Sequence, residues 1–155
     1  MDILVVDNLK VNNLEFIKKE IKDKKKKILY KRFIDERLKL IKKNRILLKK
    51  CDVKNKDQLQ KIVKKYDPDV LIHLAALSHD GKSNKNPELA LKNSFNTLFN
   101  SLESIKHSKK AHFIYLSSSM VYGTFKKNIV TEKEQCNPIG IYGSLKLSGE
   151  LLVKS

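Results

Sequence analysis

A continuous apolar run from Val70 to Leu77, reading Val-Leu-Ile-His-Leu-Ala-Ala-Leu, is the feature that most constrains the fold. It does not alternate between apolar and polar residues, so we expect both of its faces to be covered. Such runs are typical of strands in parallel sheets with helices on both sides. A second apolar run, Phe113 to Leu116, ends in three consecutive serines. Together with the helical spacing that begins at Pro87, the two runs predict an α/β fold with a parallel sheet.

Shorter patterns place the other elements. Met1–Asn8 and Arg45–Lys49 are typical of strands, and residues 78–84 are typical of a loop. Lys24–Lys27, four like charges in succession, is expected to separate one helical segment, residues 9–23, from another, Tyr30–Lys43, that ends near Asn44. Two further amphipathic helices should bury apolar stripes, namely Leu59, Ile62, Val63 and Tyr66 in the first, and Leu91, Phe95, Leu98, Leu102 and Ile105 in the second.

The composition is that of a globular protein. At 155 residues and 41% hydrophobic residues, the chain can form one domain with a core. No apolar run approaches the roughly 18 residues that a membrane span requires, and the start lacks the basic region of a signal peptide. Cys51 and Cys136 have no motif spacing, so we expect reduced thiols in a cytoplasmic protein. The four histidines form no metal-ligand pattern, and no metal site is predicted.

The net charge of +16 is concentrated in one segment. Residues 17–50 contain 16 Lys and Arg against 4 Asp and Glu. A basic patch of this kind can bind nucleic acid. Aromatic residues are not regularly interleaved with the charges, since only Tyr30 and Phe33 stand among them, and no zinc spacing or recognition helix accompanies them, so we favour a solvated basic surface. The charge could still attract an anionic substrate.

The most specific pattern lies between Leu116 and Lys146. The serine row at the end of a predicted strand should reach the rim of the sheet. Tyr142 and Lys146 are four residues apart, which places them on one face of a helix. An ammonium group there would lower the tyrosine pKa from its usual value of about 10. Serine, tyrosine and lysine side chains converging in one pocket would form a proton-transfer site.

Ser-Ser-Ser-x-Val-Tyr-Gly (Ser117–Gly123) followed by Pro-x-x-x-Tyr-Gly-x-x-Lys (Pro138–Lys146) resembles the extended short-chain dehydrogenases/reductases. These are the NAD-dependent nucleotide-sugar epimerases and dehydratases, among them the UDP-glucose 4-epimerases. Leu145 replaces the usual Ser or Thr before the lysine. The resemblance implies a Rossmann-type, doubly wound parallel sheet, NAD rather than NADP as cofactor, a nucleotide-sugar substrate, and a homodimer in intact relatives. The apolar runs and the charge pattern described above predict neither a membrane nor a nucleic-acid partner.

The resemblance also implies roles for individual residues. Tyr142 would be the acid–base residue, Lys146 would bind the nicotinamide ribose, and Ser118 would hydrogen-bond the reacting oxygen, with Ser117 and Ser119 as the neighbouring alternatives. Ser78, Ser118 and Tyr142 would contact the substrate. The remaining cofactor-binding positions would be Asp7 and Asn8 at the adenosine ribose, Asp52 and Val53 at the adenine, Leu74, Ala75 and Ala76 after the fourth strand, and Asn93 on the following helix. An acid at position 7 would repel a 2′-phosphate, which favours NAD.

Several of these positions allow a purely structural interpretation. Asp7 and Asp52 are also good helix N-caps, and His73 alone is more typical of a hydrogen-bonded core histidine than of a catalyst. In the family pattern Asn93 belongs to Asn-x-x-Gly-Thr, but Asn96 replaces that glycine here.

The family's Gly-x-x-Gly-x-x-Gly turn is missing from the sequence. The five glycines, Gly81, Gly123, Gly140, Gly143 and Gly149, do not have that spacing. We therefore expect residues 1–155 to form a partial NAD-binding domain with strands 2 to 5 of the family fold and no substrate domain. In a rival placement Met1–Val6 is strand 1 itself, and Asp7 and Asn8 stand where the glycines belong.

Two functions from different classes remain open. The first is an NAD-dependent epimerase or dehydratase activity, of which this chain alone would be an inactive part. The second is a catalytically dead, basic module that binds an anionic partner.

Overall fold

The structure, a computed structural model, describes residues 2–10, 17, 21–77 and 80–155. The chain divides into two compact units, Met1–Asp52 and Val53–Ser155. Within the described residues, no helix has the length and apolar character needed to cross a lipid bilayer.

The first unit contains two paired parallel strands, with a long helix between them in the sequence. The elements that the structure describes in it are β1 (Leu4–Asp7), α1 (Lys24–Lys43) and β2 (Leu47–Lys50). The two strands run in register from Leu4 opposite Leu47 to Asp7 opposite Lys50. Both predicted strands are therefore present, and α1 ends at the predicted Asn44.

The lysines at 24–27 do not interrupt a helix, contrary to our expectation. They form the first turn of α1, and the Asp23 carboxylate accepts a hydrogen bond of 2.7 Å from the amide of Lys26. Lysine is a good helix former, and a capping aspartate satisfies amides that the helix cannot pair. Water and salt screen the exposed lysine charges, so their mutual repulsion is too weak to prevent helix formation.

The second unit carries the rest of the chain. Its elements are α2 (Lys56–Tyr66), β3 (Val70–His73), α3 (Asp80–Lys85), α4 (Pro87–Ile105), β4 (His112–Tyr115), a 3₁₀ turn (Ser119–Tyr122) and α5 (Gly140–Lys154). Strands β3 and β4 are parallel, with Val70 opposite His112 and His73 opposite Tyr115. The stretch expected to be a loop is helical from Asp80 onward, because α3 packs on α4 and α5.

One face of the β3–β4 pair is covered and the other is open. His73 is 4% exposed and Tyr115 is half-buried, whereas Ile72 and Leu74 are 55% and 66% exposed. The expectation that the Val70–Leu77 run is buried on both faces is thus wrong for the described structure. Side chains alternate across a strand, and the contacts of α4 with His73 and of α5 with Tyr115 both lie on the His73 face.

The buried face of α4 is more polar than predicted. Leu98 is buried at 1% exposure, but Leu91 is 45% exposed. The buried positions also include polar side chains, namely Thr97, Asn100 and Ser101. Each of the three is hydrogen-bonded, and pairing removes most of the cost of burying a polar group.

Candidate active site

In the first unit, the side chains predicted to bind adenosine lie together at the ends of β1 and β2. Asn8 Nδ2 lies 3.4 Å from Asp52 Oδ2, and Lys10 Nζ forms an ion pair with the same oxygen at 3.1 Å. The amide of Leu9 donates to Asp7 Oδ1 at 2.5 Å, and Leu9 adopts a φ of 57°. Asp7 therefore closes a tight turn after β1, as Asp side chains often do. Parallel strands end at one sheet edge, which explains the cluster.

Asp52 is not the cap of the helix that follows. The N-cap of α2 is Asn55, whose side chain accepts a hydrogen bond of 3.1 Å from the amide of Gln58. The structural alternative for Asp52 is therefore excluded.

Val53 and Asn93 take part in hydrogen bonds that join α4 to the segment before α2 in the second unit. The carbonyl oxygens of Val53 and Lys54 both accept hydrogen bonds from Asn100 Nδ2, at 2.9 and 3.1 Å. Asn93 Oδ1 accepts a hydrogen bond from Lys54 Nζ at 3.0 Å, and Asn93 Nδ2 donates one to the carbonyl oxygen of Leu89. The cofactor roles of Val53 and Asn93 stay predictions.

The chain after β3 is held by hydroxyl groups of α4. Thr97 Oγ1 donates to the carbonyl of Ala75 at 2.8 Å, and the amide of Leu77 donates to Ser94 Oγ at 3.1 Å. Ala75 and Ala76 are half-buried. The predicted substrate residue Ser78 lies outside the described residues.

His73 is a core residue that is hydrogen-bonded through one nitrogen. Its Nδ1 lies 3.0 Å from Ser101 Oγ, and this hydroxyl donates to the carbonyl of Thr97 at 2.9 Å. The single hydroxyl proton is used there, so we assign the imidazole proton to Nδ1. Nε2 is buried with no hydrogen-bond partner among the described residues. Burial, followed by the nearby charge of Lys146, lowers the pKa of His73 to about 4.

Tyr142 and Lys146 lie on one face of α5, as predicted. Lys146 is 7% exposed, and its Nζ lies 6.0 Å from the centroid of the Tyr142 ring and 4.9 Å from that of Tyr115. The same ammonium group donates a 2.5 Å hydrogen bond to the carbonyl of Leu116, at the end of β4. The lysine thus connects the strand end to the helix.

Burial changes the acidity of two groups around this ammonium. Desolvation lowers the pKa of Lys146. Burial raises the pKa of Tyr115 to about 12, and the charges of Tyr142 and Glu150 act in the same direction. Tyr115 therefore stays protonated at neutral pH and contributes no base to the site.

The three consecutive serines have different surroundings. Ser117 Oγ donates to Glu150 Oε1 at 2.5 Å, and Ser119 is exposed. Ser118 Oγ accepts from the amide of Met120 at 3.2 Å, which caps the 3₁₀ turn and leaves its own proton available. Ser118 is thus the serine whose hydrogen bonds are compatible with the predicted role, and that role stays a prediction.

Two glycines allow α5 to pack closely against its neighbours. A Cβ atom on Gly143 would lie 2.5 Å from the carbonyl oxygen of Met120 in the 3₁₀ turn. A Cβ on Gly149 would collide with the Tyr115 hydroxyl and lie 2.7 Å from its Cζ. The Tyr-Gly-x-x-Lys motif therefore needs its glycine for close contact with residues Ser117–Tyr122, which we call the serine segment.

Sequence reasoning missed the polar residues that support the site, namely Asn84, Thr97, Asn100, Ser101 and Glu150. One signal was available for Glu150, which stands four residues after Lys146 and continues the row Tyr142–Lys146–Glu150 on α5. Each of the other four forms at least one hydrogen bond with a residue far away in sequence.

Each unit, taken by itself, carries groups that would suit one part of NAD. In the first unit, Asp7, Asn8 and Asp52 carry oxygen and amide groups that would suit an adenosine ribose and adenine. In the second unit, Lys146 and Tyr142 carry a cation and a hydroxyl that would suit a nicotinamide ribose. A turn of closely spaced glycine amides, which a pyrophosphate requires, is absent from the sequence.

Comparison with known proteins places the chain in a family. The family model described as GDP-mannose 4,6 dehydratase matches residues 15–155. Protein CapI of Staphylococcus aureus is 32% identical over 119 residues, which are 76% of this chain and 36% of the relative. UDP-glucose 4-epimerase 2 of Oryza sativa subsp. japonica is 32% identical over 98 residues, which are 63% and 24% of the two chains. This chain thus spans about a third or less of these relatives.

Solved structures agree with the family match. UDP-glucuronic acid 4-epimerase from Bacillus cereus, in complex with UDP-glucuronic acid and NAD, has a TM-score of 0.72 and 29% identity. The match covers 99% of this chain and 43% of that one. UDP-glucose 4-epimerase from Brucella ovis, in complex with NAD, has a TM-score of 0.67 and 27% identity over 70% of this chain and 34% of that one.

These matches confirm the Rossmann-type α/β fold. In the order 3-2-1-4-5-6, strands 4 and 5 are neighbours and strands 3 and 4 are not. Because β3 pairs with β4, the four strands fit positions 2 to 5, and the rival placement of β1 as the first strand is not favoured. The chain belongs to the GDP-mannose 4,6-dehydratase family of NAD-dependent epimerases and dehydratases.

Proposed function

We propose that this chain carries the proton-transfer part of an NAD-dependent nucleotide-sugar epimerase or dehydratase. The observation that carries the proposal is the position of Lys146, which is buried beside Tyr142 and anchored at the end of β4. A positive charge near a phenol favours its anionic form, which is the form that accepts a proton. The likeness to epimerases solved with NAD supports this assignment.

In this proposal each side chain has one task. Tyr142 removes the proton of a sugar hydroxyl and later returns it. Ser118 donates a hydrogen bond to the same oxygen with the proton that its capping bond to Met120 leaves available. Lys146 supplies the charge that supports Tyr142. When bound, NAD supplies a hydride acceptor and donor at its nicotinamide ring.

The proposal also states which part of an NAD-binding domain this chain forms and which of its residues bind the cofactor. Residues 1–155 form part of an NAD-binding domain, and the turn that binds the pyrophosphate lies outside them. Asp7 and Asn8 serve an adenosine ribose and Asp52 and Val53 an adenine, with NAD preferred over NADP because of the Asp7 charge. Cys51 and Cys136 are free thiols, which fits the cytoplasmic location expected from the sequence.

Calorimetric titration of the purified chain with NAD tests the proposal. We expect weak or undetectable binding to the chain alone. Binding should become measurable when a synthetic peptide with an apolar strand and a Gly-x-x-Gly-x-x-Gly turn is added, because the peptide supplies the missing phosphate-binding amides. Lys146→Met should then weaken the binding, while Ser148→Ala, an exposed position on α5, should not.

Each other outcome has a definite meaning. Tight NAD binding without the peptide would show that phosphate is bound elsewhere, and the assignment of strands 2 to 5 would be wrong. If NAD failed to bind with or without the peptide, the proposed function of this chain would be rejected.

A further inference from the structure

Three consecutive residues at the end of β4 are joined to α5. The Tyr115 hydroxyl lies 3.5 Å from the carbonyl oxygen of Lys146, to which it donates. The Leu116 carbonyl accepts from Lys146 Nζ at 2.5 Å, and Ser117 Oγ donates to Glu150 Oε1 at 2.5 Å. Lys146 and Glu150 are one helical turn apart and lie on one face of α5. This face therefore binds the end of β4 through two successive turns of the helix.

The hydroxyl proton of Ser117 is used in the hydrogen bond to Glu150. A serine has one proton to donate, and an ionised carboxylate can only accept. Hydrogen bonds to a charged group are shorter and stronger than those between neutral groups. Ser117 is therefore a fixed structural contact of Glu150 and is not available to donate to a substrate at the same time.

The position of Ser117 determines where the next residues lie. Ser118 follows immediately and caps the 3₁₀ turn through Met120. The carbonyl of Met120 lies against Gly143, the residue after Tyr142, with no room for a Cβ atom. A shift of Ser117 would therefore be passed on to Ser118 and to the contact beside Tyr142.

We propose that Glu150 is a positioning residue of the Ser118–Tyr142–Lys146 site, acting by accepting the hydrogen bond of Ser117 and so holding the serine segment against α5. The inference rests on the proposed function only in naming Ser118 and Tyr142 as reacting groups. The anchoring itself is a property of the chain that can be measured without cofactor or substrate.

Nuclear magnetic resonance of the chain, labelled with ¹⁵N and with ¹³Cζ-tyrosine, tests the anchoring. Glu150→Ala should shift the amide signals of Ser118–Tyr122 and the ring signal of Tyr142. Ser117→Ala should reproduce this pattern, because it removes the other half of the same bond. Glu150→Gln should stay close to the parent protein, since an amide oxygen can still accept the serine proton. Ser148→Ala, an exposed polar truncation on the same helix, should leave these signals unchanged.

Two results would overturn the proposal. One is a Glu150→Ala spectrum that changes only at neighbours on α5. The other is a Glu150→Gln spectrum that is as altered as that of Glu150→Ala. If Glu150→Ala does not fold, the other two variants test the proposal. Ser117→Ala must then shift the amide signals of the serine segment, and Glu150→Gln must leave them close to those of the parent protein.

An activity measurement separates this inference from the proposed function. With the glycine-turn peptide present, conversion of nucleotide sugars is followed by chromatography of the products, because NAD would be reduced and reoxidised within each cycle and NADH would not accumulate. Glu150→Ala should lower the rate roughly tenfold or more, because small misplacements of reacting groups are costly, and Glu150→Gln should restore most of it. Turnover that Glu150→Ala leaves unchanged would reject the positioning role alone. No turnover in the parent, with the spectral pattern intact, would reject the proposed function alone.

Discussion

Asn84 Oδ1 accepts a 2.9 Å hydrogen bond from the amide of Ile141, 57 positions further along the chain. Helix α5 has no side-chain cap of its own at this end, since Ile139 stands at the N-cap position. A residue of α3 therefore satisfies an amide in the first turn of the helix that carries Tyr142. This contact joins the segment after β3 to the candidate active site.

Removing this cap should loosen the start of α5. Loss of an Asn cap costs about 1 kcal/mol, so Asn84→Ala should speed hydrogen exchange of the Ile141 amide by roughly fivefold if local opening controls that exchange. Asn86→Ala is the matched control, because Asn86 caps α4 through the amide of Leu89. It should speed exchange at Leu89 and leave Ile141 unchanged. Equal exchange of Ile141 in the parent and in Asn84→Ala would contradict the prediction.

Gly149→Ala should destabilise the second unit. The added methyl group would overlap the Tyr115 hydroxyl and come within 2.9 Å of Leu98 Cδ2. Overpacking of this kind costs about 1–3 kcal/mol, to be measured by urea unfolding. Tyr115→Phe removes the first overlap, so the double variant should recover part of the loss. Ser148→Ala controls for an alanine at the next position, and a Gly149→Ala variant as stable as Ser148→Ala would refute the close approach.

His73 should make the free energy of unfolding depend on pH. Burial holds its folded-state pKa at about 4, while an unfolded histidine has a pKa near 6.5. Between these values the unfolded chain binds more protons, so stability falls as the pH drops from about 6.5 toward 4. The loss is about 3 kcal/mol from this residue. His73→Leu should flatten the profile in this window, as measured by denaturant unfolding at several pH values.

The control for this prediction is His112→Gln, because His112 is exposed at the start of β4. Its profile should follow that of the parent protein. A His73→Leu profile as steep as the parent's would mean that other groups cause the pH dependence.

The two cysteines should differ in reactivity. Cys51 is 2% exposed, and burial raises the pKa of its thiol, with the Asp52 charge acting in the same direction. Because the thiolate is the nucleophile, Ellman's reagent should react with Cys136, which is half-buried, at least about tenfold faster. Cys136→Ser should leave only the slow reaction until denaturant is added. Fast modification of the native Cys136→Ser variant would show that Cys51 is accessible.

Local patterns predicted the elements whose spacing depends on near neighbours. The strand pattern placed β1, β2, β3 and β4, and the spacing of Tyr142 and Lys146 on one helix face holds in the structure. The break at Lys24–Lys27 was wrong, because like charges on a solvated, well-capped helix cost less than helix propensity contributes. The burial of Thr97 and Ser101 could not be predicted, because in addition to local carbonyl groups they bond to Ala75 and His73, which are distant in sequence.

The sequence alone determined the α/β class, the family and the order of the residues that we propose to react. These are consequences of periodicity and motif spacing along one chain. Only the tertiary structure decided which serine is occupied by Glu150, which asparagine caps α5 and which face of β3 is covered. Hydrogen bonds and burial are settled by whichever groups the folded chain brings within about 3 Å of one another, and distance along the sequence does not encode that.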